Sequence, residues 1–326
     1  MNITVIVPTY RRPRSLYNCL EGLINQLRSP DEVLLIVRES DRLTWKFLEN
    51  FATELLPLKI LTVKVPGVVA AMNLGLEFAQ GDIVSFTDDD AVPHDDWLAR
   101  VEAHFLKDSE LAGVGGKDLM YEGKVLVDKQ KAVVGKLQFF GRMIANHHMG
   151  FGAAREVDFL KGVNMSYRHL AIEKMCFDER MKGTGAQAHF EIAFCLTLRR
   201  ANKKLIYDPQ ILVDHYLAVR FDEDLRDRFN PIAFANEVHN ETLAIIEYLP
   251  TYRRIVFVIW SILVGTRRAF GLVQLIRFLP REGTLAIHKW LVSIKGRKQG
   301  WQSWLQSNKP VAMTLQTKER EKERQL

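Results

Sequence analysis

Three consecutive aspartates, Asp88-Asp89-Asp90, stand directly after the apolar run that ends at Phe86. Neighbouring carboxylates raise one another's pKa unless something positive sits among them. A divalent cation is the simplest such charge. Hard ions such as Mg2+ and Mn2+ favour oxygen ligands, commonly one or two carboxylates together with substrate phosphates, and Asp88 and Asp90 are the natural pair. The competing reading is structural, an acidic turn before Pro93 with Asp95 capping the next helix. Two other segments carry matching chemistry. Glu39 can accept hydrogen bonds from a uracil or a ribose, and Thr9 and Arg11 can approach a base or its phosphates. Taken singly, Arg11 and Arg12 read as an exposed turn.

The elements around these residues bring them to one edge. Ile3 to Val7 is β-branched and ends at Pro8, and Leu16, Leu20, Leu23, Ile24 and Leu27 then share a helical face. Val33 to Val37 predicts a second strand, Leu43 to Leu55 a helix, Leu58 to Val63 a third strand, Val68 to Ala79 a helix and Asp82 to Phe86 a fourth strand. Repeated βα units imply a parallel α/β sheet with helices on both faces. Such sheets bind ligands beyond the carboxyl ends of their strands, where Thr9, Glu39 and Asp88 fall. The glycine fingerprints of dinucleotide sites and P-loops do not occur. Residues 112–167 predict mixed sheet and site loops containing the pair His147-His148, which receives no role. A helix is expected from about Glu191 past Arg200, then short strands at Lys204 to Tyr207 and Ile211 to Asp214.

The composition, 47% hydrophobic and 26% charged, excludes disordered and collagen-like classes. Three cysteines with no close pair support neither a disulfide framework nor a cysteine-built zinc site, and point to a reducing compartment. No secretory signal precedes the first strand, so a cytoplasmic location is expected. Charge is unevenly placed. From Thr251 onward there are fifteen Lys and Arg against four Glu, a net +11, so the preceding 250 residues carry −5 of the overall +6. The apolar runs Ile255 to Gly265 and Ala269 to Leu279 are shorter than the ~20 residues of a spanning helix. Two arrangements fit them: helices lying in a membrane surface with Arg and Lys at the headgroups, or core packing of a helical domain or oligomer interface. The run Lys318 to Arg324 reads as a solvated helix.

Four motifs occur in order: Val5-Ile6-Val7-Pro8-Thr9-Tyr10-Arg11, Ala70-Ala71-Met72-Asn73-Leu74-Gly75-Leu76, Asp88-Asp89-Asp90, and Gly162-Val163-Asn164-Met165-Ser166-Tyr167-Arg168. Over roughly residues 1 to 218 the chain resembles the family-2 glycosyltransferases. The resemblance implies the GT-A fold, a Rossmann-like, mostly parallel α/β sheet, over residues 1–220; the charge and the short apolar runs make 221–326 a helical, basic region for which membrane association is the expectation and core packing the alternative. It implies a nucleotide-diphospho-sugar donor, UDP- or GDP-linked, inversion at the anomeric carbon, and Mn2+ or Mg2+; a membrane-facing tail suits a saccharide or lipid-linked acceptor, with a role in cell-surface polysaccharide or glycoconjugate synthesis as the expectation. Carried onto this chain, the donor is met by Pro8, Thr9, Tyr10, Arg11, Glu39, Asn73, Asp88 and Asp89, and the acceptor side by Gly162 and Asn164. Asp88 and Asp90 hold the metal, completed by His215, where many relatives of this fold place a histidine.

Inverting transfer needs a base that takes the acceptor's proton. In the family this carboxylate lies in an acidic motif opening a helix, and counting back from Ala201 puts Glu191 at that position. Phe190 replaces the second acid and Asn202 the usual glycine. Glu191 is thus the candidate base, the alternative being a first-turn acid favoured by the helix dipole. Two other function classes stay in view. A nucleotidyltransferase would also use carboxylate-bound metal, but should carry a glycine-rich basic phosphate loop early in the chain. A non-catalytic nucleotide- or membrane-binding protein accounts for the basic tail but not for the acidic triplet; a nucleic-acid partner is not expected.

Overall fold

A computed structural model describes residues 1–306 apart from 124, 128 and 225–227. The expected helix from Lys318 to Arg324 lies outside the described residues. The first half alternates β1 (Ile3–Thr9), α1 (Pro13–Ile24), β2 (Glu32–Arg38), α2 (Arg42–Leu48), β3 (Leu58–Val63), α3 (Val68–Phe78), β4 (Ile83–Phe86), β5 (Ala91–Pro93) and α4 (Trp97–Lys107). The long β6 (Leu111–Glu122) follows, then the two-residue strands β7 (Val125–Leu126), β8 (Lys136–Leu137), β9 (Met143–Ile144) and β10 (Arg155–Glu156). β11 (Met165–Arg168), the single turn α5 (His169–Ile172), α6 (Phe190–Arg200) and β12 (Lys204–Tyr216) complete the sheet region. Four helices close the described chain: α7 (Pro231–Tyr248), α8 (Thr251–Leu263), α9 (Leu272–Glu282) and α10 (Thr284–Gln306).

The main sheet runs β10-β12-β6-β11-β4-β1-β2-β3. β3, β2, β1 and β4 are mutually parallel, as are β6 and β12, while β11 lies antiparallel between β4 and β6. The apolar strands read as continuous runs because both faces are covered. Ile3, Val5 and Val7 pack with Leu16, Leu20 and Leu23 of α1 and Trp97, Val101 and Phe105 of α4. Ile6, Leu34, Ile36 and Phe86 point the other way, toward Val69, Met72 and Leu76 of α3 and Phe190 and Phe194 of α6. After β3 the chain returns to the far side of β1, so a crevice opens between the carboxyl ends of β1 and β4.

Local expectations differ from the structure at several places. The helix expected over Leu43 to Leu55 ends at Leu48, and a 3₁₀ turn covers Thr53–Leu55. Leu27 lies beyond α1 and is 79% exposed. The two short strands expected around Asp208 and Pro209 are one strand, β12, whose register against β6 shifts between Asp208 and Leu212. Pro209 lacks a donor, and the bulge absorbs it. Asp96, not Asp95, stands at the N-cap of α4, and its side chain makes no capping hydrogen bond.

The C-terminal helices are fastened by polar as well as apolar contacts. Asn230 caps α7 through the backbone N–H groups of Ile232 and Ala233, and Pro231 occupies the first turn, where a missing N–H is harmless. Gly296 and Gly300, one turn apart on α10, lie against α7, where an added Cβ would come within 2.7 Å of the Ala235 and His239 carbonyl oxygens. Leu243 and Ala244 of α7 join the core on the α3 and α6 face of the sheet. Among the described residues no helix is long and apolar enough to cross a membrane.

Candidate active site

The crevice holds a cavity of about 390 Å³. Asp88 and Asp90, from the loop after β4, and His215, near the end of β12, line it, and each offers a ligand atom within 4.8 Å of the other two. Two carboxylates and an imidazole form a donor set suited to Mn2+ or Mg2+. The residues therefore fit a divalent cation.

Opposite charges surround this trio. Arg12 lies 2.7 Å from Asp89 Oδ1 and 2.9 Å from Asp90 Oδ2, and the Thr9 hydroxyl donates to Asp89 Oδ2 at 2.7 Å. His215 Nε2 is 3.4 Å from Asp90 Oδ1, and its Nδ1 is 3.3 Å from Asp118 Oδ2 on β6. Lys161 donates to the same Asp118 oxygen. Burial opposes the charged imidazole, yet the carboxylates of Asp118 and Asp90 raise His215 to about 9. Burial would raise Asp90 too, but His215 and Arg12 hold it well below the usual carboxylate range. Asp88 moves upward, through burial and then repulsion from Asp90.

Glu191 sits in the first turn of α6 and lines the same cavity. Burial lifts its carboxyl to about 7, with a further upward push from Asp88. A base poised near neutrality is suited to taking a proton at the working pH. The loop before it is conformationally demanding: Gln187 has φ 41° and His189 φ 74°. Gln187 anchors the loop, accepting from the Val69 N–H at the start of α3 and donating to the Met181 carbonyl. At Gly67, with φ 111°, an added Cβ would fall 2.2 Å from Gln187 Oε1, so glycine is needed on both grounds.

Other expected site residues are distributed unevenly. Pro8, Thr9, Tyr10 and Gly162 line the cavity. Arg11 does not: at φ 59° it turns the chain, its N–H donates to Asp41, and its guanidinium sits 5.0 Å from the centre of the Phe221 ring. Its neighbour Arg12 is the residue that reaches the aspartates. The side chain of Glu39 is 62% exposed and lies 4.0 Å from Lys64, and Glu39 is not itself among the cavity-lining residues, although its neighbour Arg38 is. Asn73 exchanges two hydrogen bonds with the Phe177 backbone, at 3.0 and 2.7 Å. Asn164 is wholly buried, accepts from the Trp97 indole at 2.9 Å and donates to the Ile211 carbonyl at 3.0 Å. Both asparagines thus hold elements together beneath the site. Asp89, fully buried between Thr9 and Arg12, is likewise not a cavity-lining residue. His147 is a buried histidine bonded to the Phe159 carbonyl, and burial lowers it to about 4.

Reading the sequence missed Arg12, Asp118 and Lys161. Lys161 directly precedes the Gly162 motif, a signal in plain view. Asp118 carries none, because its approach to His215 depends on the pairing of β6 with β12.

Comparison with known proteins agrees with this architecture. The model of glycosyl transferase family 2 matches residues 4–205. The parallel βα units with an acidic crevice between β1 and β4 have the GT-A glycosyltransferase fold. The chain belongs to glycosyltransferase family 2. Glycosyltransferase AglE of Haloferax volcanii is 34% identical over 101 residues, 30% of this chain, which covers about a third, 33%, of that protein's length. A glucosyl-dolichyl phosphate glucuronosyltransferase of the same organism is 25% identical over 229 residues, covering 67% of this chain and 70% of its own. Among solved structures, S. aureus TarS 1-349 in complex with UDP-GlcNAc superposes with a TM-score of 0.61 at 18% identity, over 92% of this chain and 81% of that one.

Proposed function

We propose that the protein is a metal-dependent inverting glycosyltransferase that moves a sugar from a UDP- or GDP-sugar to a saccharide or lipid-linked acceptor. The reading rests above all on one observation: Asp88, Asp90 and His215 converge on a cavity that Glu191 also lines. Asp88, Asp90 and His215 would hold Mn2+ or Mg2+, which when bound offsets the charge that develops on the departing diphosphate. Arg12 and Thr9 fix the acidic loop so that Asp88 and Asp90 present their oxygens to the crevice. Pro8, Thr9 and Tyr10 form the donor wall at the end of β1, and Gly162 leaves room where an added Cβ would come 3.2 Å from Phe190. Glu191 takes the acceptor hydroxyl's proton as the new glycosidic bond forms, and the donor's diphosphate leaves from the opposite face of the sugar.

UDP-GlcNAc in complex with the structural neighbour TarS supports a nucleotide-sugar donor, and the dolichyl phosphate in the name of the Haloferax volcanii relative supports a lipid-linked acceptor. We place the transferase unit at residues 1–220 and assign 221–326 to peripheral contact with the cytoplasmic face of a membrane. The test is donor-dependent release of UDP or GDP, with and without EDTA. Release that stops on chelation and returns with Mn2+ or Mg2+ supports the reading; release unaffected by chelation of metal-free protein removes Asp88, Asp90 and His215 from the metal role.

A further inference from the structure

Helices α8 and α9 show a feature that sugar transfer alone does not require. Along α8, Ile255, Ile259, Ile262 and Leu263 recur at helical spacing and are 42–57% exposed. Along α9, Leu272, Val273, Ile276 and Leu279 do the same at 42–63%, and no residue of this helix is buried. An apolar stripe on each of two successive helices is more than the scattered exposure normal for a protein surface. Exposed Arg267, Arg277 and Arg281 accompany it, a mixture suited to an anionic amphiphile.

The turn between these helices reaches the active-site cavity. Thr266 and Ala269 exchange backbone hydrogen bonds, Gly265 pairs with Phe270, and Arg268 at the tip of the turn belongs to the cavity wall. Its side chain is 85% exposed, with Glu237 of α7 3.7 Å away as its one ion-pair contact among the described residues. His189 lies 4.0 Å from the same Glu237 oxygen and lines the cavity beside Glu191. A cation with most of its donors open therefore stands where an apolar surface meets the cavity.

We propose that the acceptor is a saccharide carried on a lipid phosphate that enters along the α8–α9 turn, its chain against the apolar stripes, its phosphate on Arg268 and a sugar hydroxyl in the cavity that Glu191 lines. This rests on the transferase reading and narrows its acceptor to one class. A guanidinium is the side chain best shaped for a phosphate, through paired N–H donors, and loss of such a charge-assisted contact weakens binding by about ten-fold or more. Glu237 competes for Arg268 in the free protein and is displaced by the stronger anion. Arg268 is here a substrate-binding residue, with no part in proton transfer.

The experiment uses the full chain and three probes: farnesyl phosphate, farnesol and inorganic phosphate. Binding is followed by intrinsic tryptophan fluorescence and by equilibrium dialysis. Farnesyl phosphate should bind at least ten-fold more tightly than either of the others, and Arg268→Ala should bring it down to the level of farnesol. Arg268→Lys, which keeps the charge but loses the fork, should restore part of that loss. Both variants should keep the wild-type melting temperature, since the Arg268 side chain is exposed at the tip of a turn. Equal binding of farnesol would mean that the apolar face acts alone, and equal binding of inorganic phosphate that Arg268 takes a free anion. Either result overturns the proposal, as does dimerisation through α8 and α9 with no farnesyl phosphate bound. The transferase reading fails separately, if the wild-type chain neither binds nor hydrolyses any nucleotide-sugar.

Discussion

Glu191 offers a test in which stability and activity should move in opposite directions. Its carboxyl is lifted from an ordinary 4.5 to about 7 by burial, so the folded protein favours the protonated form. Below about pH 4.5 the side chain is protonated whether folded or not, and burial has no ionisation penalty. Between about pH 4.5 and 7 the unfolded chain ionises while the folded side chain keeps its proton, so the penalty builds up over that window and is complete above 7. Stability falls with pH wherever the folded state binds more protons. A lift of this size corresponds to about 3 kcal/mol at pH 8, and partial solvent contact of the side chain reduces it to about 1 to 2 kcal/mol. Glutamine mimics the protonated carboxyl without titrating.

Glu191→Gln should therefore raise the melting temperature of metal-free protein by about 3 °C at pH 8 and leave it nearly unchanged at pH 4.5. The same variant should lose about 10²- to 10⁴-fold in transfer, the usual contribution of a positioned base, while donor binding persists. In the wild type, kcat/KM for the acceptor should fall about ten-fold per pH unit below 7. Differential scanning fluorimetry across pH, run beside a transfer assay, checks all three. A variant that is no more stable at pH 8, or that turns over at the wild-type rate, refutes the assignment of Glu191 as a buried, poised base.

Three further perturbations separate the metal site, the scaffold and the surface. Asp118→Asn removes the carboxylate that meets His215 Nδ1 and orients Nε2 toward Asp90, so Mn2+ affinity measured by calorimetry should weaken about 10- to 100-fold; unchanged affinity would show that Asp118 does not orient His215. Asn164→Ala leaves the Trp97 indole and the Ile211 carbonyl without their buried partner, and should destabilise by about 1 to 3 kcal/mol in urea titration with Mn2+ affinity intact. A selective loss of metal binding would instead place Asn164 in the site. Ile259→Glu with Ile276→Glu puts charge on the exposed faces of α8 and α9, and should abolish flotation with anionic liposomes without lowering the melting temperature. Deleting everything beyond residue 250 is a poorer test, since it strips α10 from α7 and confounds surface loss with unfolding.

How far the sequence could be read depended on the distance over which each feature is decided. β1 to β4 and the helices between them were visible because their patterns are local and both sheet faces are covered. The acidic triplet was equally plain, since three carboxylates after a buried strand demand a counter-charge. Legibility failed where side chains meet through the sheet. His215 stands opposite Met120 in the parallel pairing of β12 with β6, which puts Asp118, two residues earlier on β6, on the same face and beside the imidazole. That adjacency exists only once the register is set, and the shift between Asp208 and Leu212 helps set it. The two arginines after β1 fail for a different reason. Strand alternation ends at Thr9, and the left-handed backbone at Arg11 sends its side chain toward Tyr10 and Phe221 while delivering Arg12 to Asp89 and Asp90. A left-handed arginine is uncommon and had no local signal such as glycine or asparagine to announce it. Asn73 and Asn164 show the converse, because a motif match marks a position without saying whether its atoms face a ligand or the scaffold. With their amide groups engaged by Phe177, Trp97 and Ile211, these two hold α3 and β11 in place, and the site chemistry falls to the neighbours they position.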